Sequence, residues 1–74
     1  METGRPILTR AQIELLQACL SHPDAKEAEL GKLLHRAPKT INTEFKEIYR
    51  RLGVHNRTAA VLRALELGLI APPP

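Results

Sequence analysis

Apolar residues recur at helical spacing in four segments of this 74-residue chain. In the first segment they fall at Ile13, Leu16 and Leu20, which indicates one apolar face of an α-helix. Just before this pattern, Thr9 and Gln12 stand at the spacing of a capping box, in which each side chain bonds to the other residue's backbone N–H. The first helix is therefore expected to begin directly after Thr9.

Turn-forming residues are expected to end the first helix and to precede a second one. The sequence SHPD at residues 21–24 contains Pro23, which predicts a break in the helical pattern. Asp24 and Glu27 repeat the capping-box spacing, so a second capping box is predicted there. The second helix is expected to run from this box to about His35.

Residues with strong positional preferences bound the third and fourth helices. Pro38 suits the first position of a helix, where its missing N–H breaks no hydrogen bond. Gly53 follows Leu52 and is typical of the left-handed residue that ends a helix. Asn56 is a favourable cap for a fourth helix over residues 57–67. Because no strand pattern is visible, the predicted fold class is all-α, with four helices.

The third helix, residues 38–52, is amphipathic when its residues are placed about 100° apart around the helix axis. Its apolar residues share one side, the predicted core face: Ile41, Phe45, Ile48 and Leu52. The opposite side contains basic and polar residues without an acid: Lys39, Asn42, Thr43, Lys46 and Arg50. Glu47 lies on a flank with Arg51, and the two are expected to form an ion pair across one helical turn.

Positive charge is concentrated in the second half of the chain. The net charge is +3, and residues 35–63 hold seven of the eleven basic residues but two of the eight acidic ones. This clustering is typical of a nucleic-acid surface. An ordinary solvated helix face is the other interpretation of the same charges.

A short break followed by a helix with an exposed polar face is the geometry of a helix-turn-helix, here at residues 25–52. In that motif the second helix enters the DNA major groove, and its first half reaches the base edges. The side chains that suit base edges are Asn42, Thr43 and Lys46. Three arginines are expected nearer to phosphates, which position a protein on DNA: Arg50, Arg51 and Arg57.

Other functional classes find little support in the sequence. The three histidines stand singly, and no nucleophile–base pattern or phosphate-binding glycine loop is visible, so we expect no metal, no cofactor and no enzymatic activity. Cys19 falls among the apolar residues of the first helix and is expected to be buried. The chain has no apolar run that could span a membrane, and METGRPIL lacks the apolar core of a signal peptide. Its one cysteine excludes an internal disulfide, which fits a reducing compartment, so a cytoplasmic location is expected.

The segments LTRAQIELLQACL, ELGKLL, KTINTEFKEIYRRLGVHNRTAAV and LELGLI resemble the DNA-binding domain of LuxR-type (GerE-like) bacterial transcription regulators. The resemblance extends over residues 8–70, which leaves residues 1–7 as an N-terminal arm and residues 71–74 as a proline-rich tail. It implies a sequence-specific DNA-binding regulator, or the output domain of one, that forms a homodimer through its fourth helix. The partners it implies are an inverted-repeat operator, a second copy of the chain and RNA polymerase.

The resemblance also assigns roles to individual residues. It implies base contacts by the residues after KTI, in agreement with the helical wheel: Asn42, Thr43 and Lys46. It implies phosphate contacts at the starts of the third and fourth helices, by Lys39, Thr40, Asn56, Arg57 and Thr58. The homodimer contact would involve one side of the fourth helix: Ala59, Leu62, Arg63 and Glu66.

The chain departs from the family pattern close to the expected DNA surface. Family members usually have a Ser or Thr cap where Ala37 stands, and they often have a basic residue at the position of Asn42 and a histidine at that of Glu44. Asn42 and Glu44 lower the positive potential where DNA would lie. A second hypothesis therefore stays open, a helix-turn-helix module that binds another protein and has weak or lost DNA binding.

Overall fold

The computed structural model describes residues 7–72, so residues 1–6 of the predicted arm and residues 73–74 of the predicted tail lie outside the described part. Within that part the chain forms four helices and no strand. They are α1 (Arg10–Ser21), α2 (Glu27–Leu34), α3 (Pro38–Leu52) and α4 (Arg57–Glu66). The predicted all-α fold with four helices is confirmed.

Helix α1 begins at the predicted capping box. The Thr9 hydroxyl accepts the backbone N–H of Gln12 at 3.2 Å, and the Gln12 side-chain oxygen accepts that of Thr9 at 3.0 Å. The Gln12 side chain is buried, so this exchange supplies the hydrogen bonds that a polar group needs away from water. Ser21 ends the helix as predicted.

The predicted capping box at Asp24 is wrong, because Asp24 lies inside a turn. The turn is closed by a backbone hydrogen bond of 3.0 Å from Ala25 N to the His22 carbonyl. The residue before α2 is instead Lys26, whose backbone N–H bonds to Glu29 Oε1 at 2.9 Å. The capping bond is therefore made by Glu29 and not by Glu27, the residue that the predicted box required.

The turn between α2 and α3 is tight and requires glycine at position 31. Arg36 donates its backbone N–H to the Gly31 carbonyl at 2.8 Å, and His35 adopts a left-handed φ of 58°. A Cβ atom on residue 31 would overlap the backbone carbonyl oxygen of Arg36, so no other residue fits without moving the turn. This close approach fixes α2 against α3.

Helix α3 packs against each of the other three helices. The core face predicted for it is confirmed, because Ile41, Phe45, Ile48 and Leu52 are all buried. The remaining buried apolar side chains come from the rest of the chain: Leu8, Leu15, Leu16, Cys19, Leu30, Ala60, Ala64 and Ile70. Since its apolar side meets three neighbours, α3 leaves its polar side facing solvent.

The ends of α3 and α4 follow the predicted boundaries. Gly53 ends α3 with a left-handed φ of 69°, and the Asn56 side chain caps α4 by accepting the N–H of Ala59 at 2.8 Å. Gln17 exchanges two hydrogen bonds with Ala71, of 2.7 and 3.2 Å, and so attaches the segment after α4 to α1.

No helix in the described part of the chain combines the length and the apolar character that crossing a membrane requires.

Candidate nucleic-acid interface

The polar side of α3 presents a surface, termed here the exposed face, made of Lys39, Asn42, Thr43, Lys46 and Arg50. All of these side chains are exposed except that of Asn42, which is half-buried. The three residues predicted to contact bases are therefore brought together on one surface of the second helix of the helix-turn-helix. The helical wheel had placed the same five residues opposite the core.

The first turn of α3 lacks a side-chain cap. Ala37 stands at the cap position and has no side-chain acceptor to offer the backbone N–H groups that follow Pro38. Unsatisfied N–H groups and the helix dipole favour an anion at a helix start. Lys39 and Thr40, both exposed, lie in this same turn, so the departure at Ala37 suits the phosphate contacts predicted for them.

The two lysines of the exposed face carry charges that no acid of the described chain neutralises. Among residues 7–72 there are four ion pairs, and none of them includes Lys39 or Lys46. The Thr43 hydroxyl donates to the Lys39 carbonyl at 3.1 Å, which leaves the Thr43 methyl group as its free end. The exposed face thus offers ammonium donors next to a methyl group.

Asn42 is held by an acid from the neighbouring helix. Its side-chain N–H group donates to Glu27 Oε2 of α2 at 3.3 Å, and both residues are partly buried. The wheel of α3 showed no acid on this side, because a wheel contains only the residues of one helix. Glu27 is therefore a residue of the candidate interface that the pattern of α3 alone does not reveal.

Glu47 forms a cluster with two arginines, termed the Glu47 cluster (Glu47, Arg50 and Arg51). Arg51 Nε lies 2.7 Å from Glu47 Oε2, which is the predicted ion pair. Arg50 Nε also donates to Glu47 Oε1 at 3.3 Å, and a second Arg50 nitrogen pairs with the same carboxylate. Hydrogen bonds from Arg50 and then Arg51 lower the Glu47 pKa to about 2, and the carboxylate in turn raises the pKa of Arg50.

Arg51 has a further bond that limits its freedom. Its Nη1 donates to the backbone carbonyl of Ile7, in the segment before α1, at 3.1 Å. Arg51 therefore connects α3 to the start of the described chain as well as to Glu47. Of the two arginines predicted to contact phosphate here, Arg50 is the more exposed.

Two of the residues predicted to contact phosphate at the start of α4 also have structural contacts. Arg57 donates to the Ala25 carbonyl at 2.6 Å, and its guanidinium carbon lies 4.9 Å from the centre of the Phe45 ring, a cation–π distance. Asn56 uses its side-chain oxygen to cap α4. Thr58 is exposed. Sequence spacing could not reveal the Arg57 contacts, because they join three separate segments.

The outer side of α4 carries the residues predicted for the homodimer contact. Leu62 is 56% exposed, and it borders an apolar groove lined also by Cys19, Leu20, Pro23 and Val61. Arg63 and Glu66 form an ion pair of 3.3 Å beside it, and Ala59 is half-buried. An exposed leucine next to an apolar groove is a feature that a protein partner can cover.

Cys19 is buried as predicted, and burial raises the pKa of its thiol although the nearby Arg57 charge opposes that rise. The thiol is therefore protonated and shielded, which agrees with a packing role. Within the described part of the chain, no three residues among the histidines, cysteines and acids lie close enough together to hold a metal ion.

Comparison with known proteins adds a likeness at the level of the whole domain. No protein-family model and no curated protein matches the chain. A solved structure described as the transcription factor GerE is similar to it, with 27% sequence identity, a TM-score of 0.81, and coverage of 90% of this chain and 97% of that one. The four helices therefore form a helix-turn-helix domain. Its fold is GerE-like, and the resemblance seen in the sequence is confirmed.

Proposed function

We propose that this chain is the DNA-binding domain of a transcription regulator, occupying residues 8–70, and that α3 enters the major groove of double-stranded DNA. The observation that carries the proposal is the exposed face of α3, where Lys39 and Lys46 lie without an acidic partner in the described chain. The GerE-like fold supports it, since GerE is described as a transcription factor. This fold points to a non-enzymatic regulator.

The base contacts in this proposal come from three neighbouring side chains of the exposed face. Lys46 offers three N–H donors, which suit the two major-groove acceptors of guanine. The free methyl group of Thr43 suits the methyl group of thymine, because its hydroxyl is already bonded to the Lys39 carbonyl. Asn42 suits adenine, with which an amide can form two hydrogen bonds.

The residues proposed to contact phosphate divide into those with free side chains and those whose side chains already bond to other residues. Lys39, Thr40 and Thr58 are exposed and bind phosphate directly in this proposal. Arg50 and Arg51 contribute the charge that remains after their pairing with Glu47. Asn56 and Arg57 contribute by fixing the start of α4 through their own hydrogen bonds.

Two copies of the chain meet through α4 in this proposal, with Leu62 near the centre of the contact and Ala59, Arg63 and Glu66 around it. A twofold axis between the α4 helices would place the two α3 helices in successive major grooves on one side of the duplex. Such a dimer reads an inverted repeat, and RNA polymerase is the protein partner expected for a regulator bound there.

Selection of duplexes from a randomised pool tests this function. We expect the enriched sequences to be inverted repeats with half-site centres about 10 bp apart, bound by two chains per duplex in light scattering. Inserting half a helical turn between the half-sites, about 5 bp, should abolish binding by the dimer. Enrichment of isolated half-sites would contradict the homodimer, and the absence of any enriched sequence would contradict the function.

A second candidate function is a protein-interaction module of the same fold. It is favoured by the acids that hold residues of the proposed DNA surface, since Glu27 bonds to Asn42 and Glu47 pairs with Arg50 and Arg51. A Glu44→His variant discriminates the two candidates. If it binds a family-like inverted repeat that the wild type does not, the wild-type chain has lost DNA binding and the module function is supported.

A further inference from the structure

We propose that Glu27 of α2 is a positioning residue that fixes the side-chain amide of Asn42 and so determines the base preference at one position of the DNA site. This inference rests on the proposed function, because it assumes that α3 reads base edges. It assigns to the first helix of the helix-turn-helix a role in sequence preference.

The geometry defines how Asn42 is oriented. Its Nδ2 atom lies 3.3 Å from Glu27 Oε2. An ionised carboxylate only accepts hydrogen bonds, so it selects the NH₂ end of the amide and rejects the carbonyl end. Both residues are partly buried between α2 and α3, which limits other rotamers. The NH₂ end of the Asn42 amide is therefore held by Glu27, and this bond fixes how the rest of the amide is oriented.

The orientation has a chemical consequence at a base edge. One N–H of Asn42 is used by Glu27, so one N–H and the carbonyl oxygen remain for DNA. Adenine offers an acceptor at N7 and a donor at N6, which match these two groups. Guanine offers acceptors at both N7 and O6, and one of them would face the Asn42 carbonyl oxygen. A held Asn42 therefore prefers adenine, whereas a freely rotating amide can turn both N–H groups toward guanine.

The same carboxylate also acts on DNA as a charge. Glu27 places a negative charge behind the reading surface, where it repels phosphates of any sequence. Its removal should therefore strengthen binding to random DNA while weakening the preference for adenine. Loss of a merely structural contact would weaken binding to both kinds of DNA, so the opposite signs identify a positioning role.

Glu29 provides a matched control on the same helical turn. Like Glu27 it is acidic and lies in the first turn of α2, and it is exposed and bonds to the backbone N–H of Lys26 rather than to Asn42. A Glu29→Gln variant removes the same charge and keeps a side-chain oxygen for Lys26. Glutamine at position 27 has a donating NH₂ group as well as an oxygen, so it can bond to either end of the Asn42 amide and no longer fixes its orientation. Any effect shared by the two variants belongs to charge, and any effect confined to Glu27→Gln belongs to the orientation of Asn42.

The test uses the selected duplex and a panel of its single-base-pair substitutions, titrated by competition anisotropy. In the wild type we expect one position to prefer adenine over guanine by about fivefold or more, the lower range for a two-bond contact. Asn42→Ala should remove that preference. Glu27→Gln should reduce it by at least half and tighten binding to random DNA, whereas Glu29→Gln should tighten random binding and retain the preference. Adding Glu27→Gln to Asn42→Ala should not change the ratio further.

A DNA-free measurement separates failure of this inference from failure of the proposed function. In ¹⁵N-resolved NMR spectra, the Asn42 NH₂ signals should shift in Glu27→Gln and stay in place in Glu29→Gln. Unmoved signals, or an unchanged adenine preference in Glu27→Gln, would overturn the positioning role. A wild type that binds all duplexes equally would overturn the proposed function, even if the NMR shift is observed.

Discussion

Two parts of α3, residues 38–46 and residues 47–52, carry the same kind of charge but differ in how much of it is available. The first part contributes Lys39 and Lys46, which have no acidic partner in residues 7–72. The second part contributes Arg50 and Arg51, which share the Glu47 carboxylate and together retain one net positive charge. The difference shows that the number of basic residues on a helix does not measure its attraction for an anion.

This division agrees with the way a recognition helix is used. Its first half approaches base edges and needs donors that are free to choose a partner. Its second half lies nearer the DNA backbone, where an arginine held by another side chain can position the helix on any sequence. The following predictions test whether the two parts of α3 differ in this way, from the largest expected effect to the smallest.

Ile48→Ala should weaken the core packing that holds both parts of α3 in place. Ile48 is fully buried at the centre of the α3 core face, so its truncation leaves a cavity and should lower the free energy of unfolding by about 2–5 kcal/mol. Urea denaturation measures the loss. Leu62→Ala, at a position that is 56% exposed, is the control and should change stability by less than about 0.5 kcal/mol in dilute protein. Equal losses in the two variants would contradict the assigned core.

Lys46→Ala should separate specific from random binding. Loss of a base contact is expected to cost about 1–3 kcal/mol on the selected duplex and to relax the preference at one base pair. Arg50→Ala is the comparison from the second part of α3, and it should weaken binding to selected and random duplexes alike. Both are measured by anisotropy titration. If Lys46→Ala weakens binding to both duplexes equally, Lys46 is not a base contact.

Glu47→Gln should leave the arginines of the second part of α3 without an acidic partner, as the lysines of the first part already are. It releases Arg50 and Arg51, so we expect tighter binding to random DNA and a salt dependence that is steeper by about one unit of slope. Titrations at several salt concentrations measure this slope. Asp24→Asn removes an equal charge from the turn before α2 and is the control. An unchanged slope in Glu47→Gln would show that the two arginines do not reach phosphate.

The smallest expected effect is a pH dependence of stability caused by Glu47. Its pKa is about 2 in the folded chain and 4.5 ordinarily, so the unfolded chain takes up a proton first as the pH falls. The stabilisation from this group is therefore fully present above pH 4.5 and is lost as the pH falls toward about 2. Urea midpoints in this range should fall further in the wild type than in Glu47→Gln. Parallel curves would contradict a contribution from the cluster.

The sequence predicted what depends on positions within one helix. Apolar spacing identified the core face of α3, and Thr9 with Gln12 identified the start of α1. Each of these signals comes from residues that lie close together in the sequence. The start of α2 was predicted wrongly, because the capping-box spacing occurs twice, at Asp24 with Glu27 and at Lys26 with Glu29, and only Asp24 is a residue type that favours a helix cap.

The surroundings of the exposed face depend on contacts that spacing within one helix does not contain. The bond between Glu27 and Asn42 joins two helices, and the Arg57 side chain reaches both Ala25 and the Phe45 ring. The Arg50–Glu47 pair could have been predicted, since these residues stand at a favourable spacing on one helix, but Glu47 had already been assigned to Arg51.

The most direct test of the central claim is an anisotropy titration of the intact chain with a labelled selected duplex and a labelled random duplex, each at two salt concentrations. We predict binding that weakens with salt and is about 10³-fold or more tighter for the selected duplex. Binding to neither duplex below about 10⁻⁴ M, even at low salt, would contradict the claim that the exposed face of α3 binds DNA.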